Sequence, residues 1–407
     1  MKLTTTLLLL SSFLVLTACS YRTSPPQSNQ KELNDSIEIA AIKLNQLQTI
    51  KRLVPELASK RVVFVGEQHT RYSDHLAQLS VIKGLHGVWG KHLSIGLEMV
   101  QQPYQQALDD YIAGKINERD MLLQTQWYDR WKYDFRLYRP IFNYARQHHI
   151  PLVALNIPAE LTKHITRSGI NGLTPKERQY LPNYIDRSSS QYKNRIEGVF
   201  NRHGKTRSKT FTKFLDAQLA WDEGMAFSAA NYLKQHPQQK MVILAGGGHI
   251  INRHGIPGRL ERIAKVKTAT VINYSSGVPT SQEGDYLLFT QAKKLPEIGH
   301  VGIRMRNQKN KSGVIISSVS PHGAAAKAGL KLGDVIIKID QTPIKGLVDI
   351  LLFREQKKPG DTIMIQINRK GKMLTLPVKL SQPSRMKIPF MPIKGKKTPI
   401  KHPRTSK

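Results

Sequence analysis

The stretch RVVFVGEQHT, Arg61 to Thr70, restricts the fold more than any other part of the chain. Val62 to Val65 is an uncharged apolar run that predicts a buried strand, and it breaks at Gly66 into a polar turn carrying Glu67 and His69. Residues two apart in extended backbone project to the same side, so this carboxylate and imidazole leave the strand end together. That is a place to hold a metal or move a proton. Two other segments have the same form: LSIGLEM carries Glu98 near its end, and MVILAGGGH ends at His249. Three apolar strands that each deliver an ionisable group at the C-terminal end predict an α/β fold with a parallel-type sheet, since ligands bind at the strand ends of such sheets.

The segments between these strands supply helices. Ile37, Ala40, Leu44, Leu47 and Ile50 recur at three- and four-residue steps, which predicts an amphipathic helix ending before Pro55. Ser73 and Asp74 can cap a helix through about Leu85, with Leu76, Leu79 and Ile82 as its buried stripe. Leu93 to Leu97 is a second strand, and Met99 to Gln124 reads as mostly helical with Lys115, Glu118, Arg119 and Asp120 exposed. A helix over Pro140 to His149 precedes the strand PLVALN, Pro151 to Asn156, whose unbroken apolarity suits burial on both faces. Ala159 to Gly204 is polar, basic and interrupted by Pro175 and Pro182, which predicts a helical insertion. Thr210 to Lys234 is one long helix that sets Phe214, Gln218, Trp221, Asp222 and Met225 near one face. An aspartate among apolar neighbours needs a partner or takes up a proton, so Asp222 is either a site residue or half of a structural salt bridge. Strands at Met241 to Ala245, Thr268 to Tyr274 and Asp285 to Thr290 complete the sheet. Gly246, Gly247 and Gly248 let the backbone before His249 come close to another group.

The most aromatic stretch is QWYDRWKYDFRLYRP, where Trp127, Tyr128, Trp131, Tyr133, Phe135 and Tyr138 alternate with Arg130, Lys132, Arg136 and Arg139. Flat rings beside guanidinium groups suit a planar ligand with carboxylates, such as haem with its propionates. They equally suit a helix face packed on a sheet. Arg139 stands at the entry to a helix whose apolar face points inward, which singles it out among these cations.

Both chain ends differ from this middle. MKLTTTLLLLSSFLVLTACS has one Lys, an apolar core from Leu7 to Leu16 and small residues running into Cys19, the pattern of a bacterial lipoprotein signal rather than of a spanning helix. LTAC looks like a lipobox, so the expectation is a lipid anchor on Cys19 in the outer membrane, because Ser20 is not a retention signal, facing the periplasm or the cell surface. Cys19 is the one cysteine, so the fold is held by its core without an internal disulfide. Residues beyond Gln382 carry eight cations, prolines and no acid, and read as a disordered tail. The formal charge of +33 is spread over the whole chain. Nucleic acid would call for a recognised module with stacking aromatics in a basic groove; a lipoprotein meets anionic lipid and cell-wall polymers first.

GEQH, the LEM strand end, WYDRWKYDFRLYRP, VALNIP, QLAWDEGMA and AGGGHI, in that order, resemble the ChaN-like haem-binding lipoproteins, which are similar to the Tiki metalloproteases and erythromycin esterases. The likeness covers roughly Lys51 to Thr290. Two Gly-x-x-His signatures match Gly66 to His69 and Gly246 to His249, and a strand-end Glu matches Glu98. The resemblance implies haem as the cofactor, with Tyr133, Tyr138, Arg139, His69 and His249 as candidates to bind it. The hydrolytic branch implies instead a divalent metal such as Mn, Co or Zn on Glu67, His69, Glu98 and His249, with Asp222 joining them as a catalytic candidate.

HVGIRM, SGVIISSV, PHGAAAKAGLKLGDVIIKIDQTPI and DTIMIQINRKGKMLTLPV resemble a PDZ domain of the bacterial HtrA type. That resemblance implies a small α+β domain whose groove adds a partner's extended or C-terminal segment as a strand, with Val348 to Glu355 as the groove helix. The peptide carboxylate would sit on the loop of His300, Val301, Gly302 and Ile303, although GHVGI departs from the usual alternation of hydrophobic residue and glycine. No Gly-x-Ser-x-Gly elbow accompanies it, so the domain reads as an adaptor. The expected order is a signal over 1–19, a tether over 20–36, a ChaN-like domain over 37–295, a PDZ domain over 298–381 and the tail over 382–407. The expected partners are haem, a protein or peptide in the groove and a membrane, and a homodimer is compatible with them. A scaffold without ligand is the third class the sequence allows.

Overall fold

The computed structural model describes residues 40–202, 210–274, 276, 279–308 and 311–382. Cys19, the tether and the basic tail lie outside the described residues. Strands β1 (Val62–Glu67), β2 (Leu93–Gln101), β3 (Leu152–Asn156), β4 (Lys240–Gly246), β5 (Thr268–Asn273) and β6 (Tyr286–Leu288) form one sheet in the order β3-β2-β4-β1-β5-β6. Every pairing in it is parallel, and β1 meets β4 in a register that sets Glu67 beside Gly246.

Alternation along β1 divides the core into two layers. Val63 and Val65 pack with Leu57, Val81, Leu85 and the aromatics Trp127 and Tyr138 on one face. Val62 and Phe64 pack with Met225, Ala229, Ile256 and Leu260 of the Phe211–Gln235 and Ile256–Ala264 helices on the other. Burying each of these side chains contributes about 1.5–3 kcal/mol, which explains why the strand carries no polar residue before its end. Residues between β3 and the long helix form the helical insertion, where Ile157, Leu161, Ile165, Tyr192 and Ile196 close over Ala217 and Ala220.

The outer edge of β3 is covered by a side chain. Gln105 donates from Nε2 to the Leu152 carbonyl at 2.7 Å and accepts from the Ala154 amide on Oε1 at 2.7 Å, as a neighbouring strand would.

The second sheet is antiparallel: β7 (Ile303–Asn307), β8 (Val314–Val319), β9 (Val335–Ile339), β10 (Thr342–Pro343), β11 (Thr362–Arg369) and β12 (Lys372–Lys379) run in the order β12-β11-β9-β8-β7, with β10 on β9. Helices Ala324–Lys327 and Leu347–Arg354 accompany it over a core that includes Ile316, Ile336, Ile350 and Ile365. The architecture is therefore α/β with a parallel sheet flanked by helices and a helical insertion, followed by a PDZ-like antiparallel sheet.

Several local expectations are corrected. The first helix is Ile50–Ala58 with Pro55 inside it, whereas Ile42, Leu44 and Leu47 stay exposed. Burial of Leu53, Val54 and Leu57 against the sheet outweighs the hydrogen bond that Pro55 cannot make. Strand β2 runs on through Glu98 to Gln101, and helices begin only at Gln105 and Glu118. The helix Tyr72–Trp89 turns His75 and Gln78 inward and leaves Leu76 and Leu79 partly exposed, because both polar side chains find partners beneath the sheet end. Glu118 and Arg119 are only partly exposed, because they pair with Arg139 and Asp349.

Candidate functional site

Strands β2, β4 and β1 lie side by side, so Glu98, Gly246 and Glu67 reach one sheet edge although they are far apart in sequence. Glu67 and Glu98 are both almost fully buried. Their burial is tolerable because each carboxylate has an internal partner. Glu67 Oε1 lies 2.5 Å from His69 Nδ1, and Glu98 Oε2 accepts from the Gly246 amide at 2.6 Å. A Cβ on Gly246 would stand 2.8 Å from His69 Cε1, so this position requires glycine for the imidazole to lie where it does.

His249 repeats the arrangement from the other side. Its Nδ1 lies 2.5 Å from Asp222 Oδ1, and its Nε2 is 3.4 Å from Glu98 Oε1. Asp222 also accepts from the Tyr192 hydroxyl at 2.7 Å, so a continuous line runs from the helical insertion through the long helix to the strand end. Asp222 is thus a site partner. Each imidazole is oriented through Nδ1 by a buried carboxylate, the support that ligating histidines usually have.

The charges follow from these contacts. Burial pushes the Glu67 carboxyl up, opposed by His69. Burial pulls His69 down, but its bond to Glu67 and the charge of Glu98 carry it above the ordinary range, so this pair keeps a proton. For His249 burial is likewise outweighed, here by Glu98 and Asp222, and its imidazole is pushed up to about 9. Asp222 is held below the usual carboxylate range against its burial, chiefly by His249.

A third histidine lies behind the first. His75 is held by Gln78 Oε1 at 3.2 Å and by the His69 carbonyl, with its ring 4.2 Å from that of Tyr138. Burial lowers it to about 4, so it is neutral. Gln78 donates to the Val65 carbonyl at 3.0 Å, which ties this helix to the strand. His75, Gln78 and Tyr192 carry no motif; the one trace of them is that HLAQ interrupts an apolar helix with polar residues three apart.

The aromatic stretch contributes in part. Trp131 and Tyr133 each lie with ring centroids 4.8 Å from His69, and Trp221 meets His249 edge-on at 6.3 Å. Tyr133 is partly exposed beside His69, whereas Tyr138 is fully buried against Trp127 and His75 and belongs to the core. The arginines of this stretch already have carboxylate partners. Arg139 forms a two-point bond to Glu118 at 2.8 Å and pairs with Glu355 of the second sheet's helix at 2.6 Å. Arg130 is paired with Glu160 and Arg136 with Asp134. Among the described residues no three His, Cys, Asp or Glu side chains are arranged to hold a metal ion, since these carboxylates orient the histidines.

In the second domain, Val301 is buried and Gly302 has φ +79°, while Gly299 and His300 are tied to Lys357 and Ser381 through backbone bonds. His300, Val301, Gly302 and Ile303 lead directly into β7, which is the terminal strand of its sheet. Backbone groups along a terminal strand can accept a further strand.

A family model described as haem-binding uptake, Tiki superfamily, ChaN matches residues 53–260, just over half of the chain. The chain belongs to the ChaN family. A PDZ domain model matches residues 299–380 of this ChaN family member. Among curated proteins it is similar to the serine protease Do-like HtrA of Lactobacillus helveticus, 38% identical over 78 residues, 19% of each chain. It is also similar to the serine endoprotease DegS of Haemophilus influenzae, 27% identical over 139 residues, 33% of this chain and 41% of that one. The matches thus span less than half the length of these relatives. Among solved structures, ChaN of Campylobacter jejuni, described with cofacial haem binding, is 20% identical with a TM-score of 0.49, covering 60% of this chain and 92% of that one.

Proposed function

We propose that this protein is a membrane-anchored haem-binding lipoprotein of haem or iron acquisition, whose PDZ module docks a partner protein or peptide. The observation that carries the reading is the pair of imidazoles, His69 and His249, each fixed through Nδ1 by a buried carboxylate and each flanked by aromatic rings. The donor set fits iron, since imidazole nitrogen and phenol oxygen are both haem ligands in proteins. Buried Glu67 Oε2 has no hydrogen-bond partner, so the strand-end site has polar capacity that its own side chains leave unfilled. Tyr133 and, once they give up their protons, His69 and His249 are the residues that would hold the group. Bound haem supplies an iron centre for ligation. Glu67 and Asp222 keep the imidazoles in one orientation, and Trp131, Tyr133 and Trp221 offer ring faces and edges. Haemin titration tests this: a saturable Soret shift that weakens in His69→Ala is expected, and its absence in the wild type removes the reading.

The Tyr192–Asp222–His249–Glu98 line also favours a second function, hydrolysis, because a charged imidazole between two carboxylates is equipped for proton transfer. Peptidase or esterase turnover that vanishes in His249→Ala is the outcome this reading requires. Lipid attachment at Cys19 and outer-membrane placement rest on the LTAC sequence. Cys19→Ser is expected to lose lipidation and leave the membrane fraction, and a lipidated variant would contradict the anchor.

A further inference from the structure

The helical insertion is basic, and most of its inward cations have partners. Arg187 pairs with Asp216, and Arg178 donates to the Ile170 carbonyl. Beneath the insertion, Arg259 and Arg262 share Glu223. Arg195, on the helix Ser190–Arg202, is different. Its guanidinium lies 5.3 Å from the Tyr192 ring centroid, and Nε and Nη2 are buried without a hydrogen-bond partner. Among the described residues no carboxylate forms an ion pair with it. Its Nη1 comes within 4.0 Å of where a Cβ on Gly248 would stand, which places the charge against the glycine loop before His249. That charge acts on both His249 and His254, and His254 Nδ1 is buried without a partner as well.

A guanidinium withdrawn from water without an acceptor is unfavourable, and a planar fork of N–H donors matches a carboxylate best. The arginines of the aromatic stretch, by contrast, each have a carboxylate partner. We propose that Arg195 is the anion-recognition residue of this site and receives a carboxylate of the bound ligand beside the Gly246–His249 loop. With haem as the ligand, an inference that rests on the function proposed above, the group is a propionate.

The test uses the full chain and two probes, haemin and the iron porphyrin with both propionates esterified. Wild type is expected to bind the diester about 10–100-fold more weakly than haemin, the size of a charge-assisted bond. Arg195→Gln should lose the same factor for haemin and be indifferent to esterification. The ligand-free variant should melt at or above the wild-type temperature, because a half-buried guanidinium whose Nε and Nη2 lack acceptors has been removed. Unchanged haemin affinity in Arg195→Gln, an equal loss for both probes, or a lower melting temperature would each overturn the proposal. If wild type binds neither porphyrin, the haem reading fails separately. Inorganic phosphate then decides on the anion site: it should move the His249 and His254 imidazole resonances in wild type and not in Arg195→Gln. Identical responses in the two proteins, or none, would overturn it.

Discussion

The clearest quantitative consequence concerns the proton on His249. An imidazole near 6.5 in the unfolded chain is pushed up to about 9 in the fold, against its burial, by Glu98 and Asp222. Because the folded pKa is the higher one, the native state holds one more proton than the unfolded state between these values. Stability is therefore fully present below the unfolded pKa and falls as pH rises through the window, at about 1.4 kcal/mol per pH unit, for a total of about 3 kcal/mol. The group is largely withdrawn from solvent, with 17% of its side chain exposed, so screening removes little of this. Asp222→Asn keeps the shape and an acceptor for Tyr192 but removes one of the two charges that hold the proton. The variant should be less stable at the acid end of the window, and its pH-dependent loss should span a narrower window and total roughly half as much. Urea unfolding followed by tryptophan fluorescence reports on this domain alone, because Trp89, Trp127, Trp131 and Trp221 all precede the second sheet. A wild-type stability that is flat across the window, or an Asp222→Asn total loss equal to wild type, refutes the account.

Three further outcomes follow from the geometry. Gly246→Ala places a methyl group 2.8 Å from His69 Cε1, which forces the ring off Glu67 and should weaken haemin binding about tenfold in a Soret titration. Arg139→Ala leaves Glu118 and Glu355 without their shared cation and should cost about 2–3 kcal/mol in urea unfolding; wild-type stability would show the bracket to be idle. Gly302→Ala puts a side chain at φ +79° and 3.1 Å from the Gly323 backbone, for about 1–3 kcal/mol of local strain. It should abolish capture of a C-terminal peptide, measured by fluorescence anisotropy, while haemin affinity stays unchanged.

The strand ends were legible because each obeys one local rule, an apolar run that stops at an ionisable residue. Glu67, His69, Glu98 and His249 follow from it, and parallel pairing brings them to adjacent strands. Asp222 stood out for the same kind of reason, a charge on an apolar helix face. The partners that fix the imidazoles were less visible. Tyr192 and Arg195 come from the insertion, and nothing in its polar, basic composition says which residues turn toward the sheet. The partners of Arg139 were hidden for a related reason: its acids sit in other parts of the chain, Glu118 before it and Glu355 in the second domain. Sequence spacing carries information about one element at a time, whereas an ion pair between two elements depends on their packing.

The side-chain amide of Gln105 on β3 also bears on how this protein avoids unwanted assembly. An exposed strand edge is a template on which a second chain can pair, and parallel sheets offer one at each end. With the Leu152 carbonyl and Ala154 amide already occupied, a foreign strand arriving at β3 would have to displace a fitted amide before forming its first bonds. Strand addition is thereby disfavoured on the haem-family domain at this edge. At the terminal strand β7, by contrast, no such amide is in place among the described residues, and the exposed side chains Arg304 and Arg306 put positive charge beside the backbone ladder.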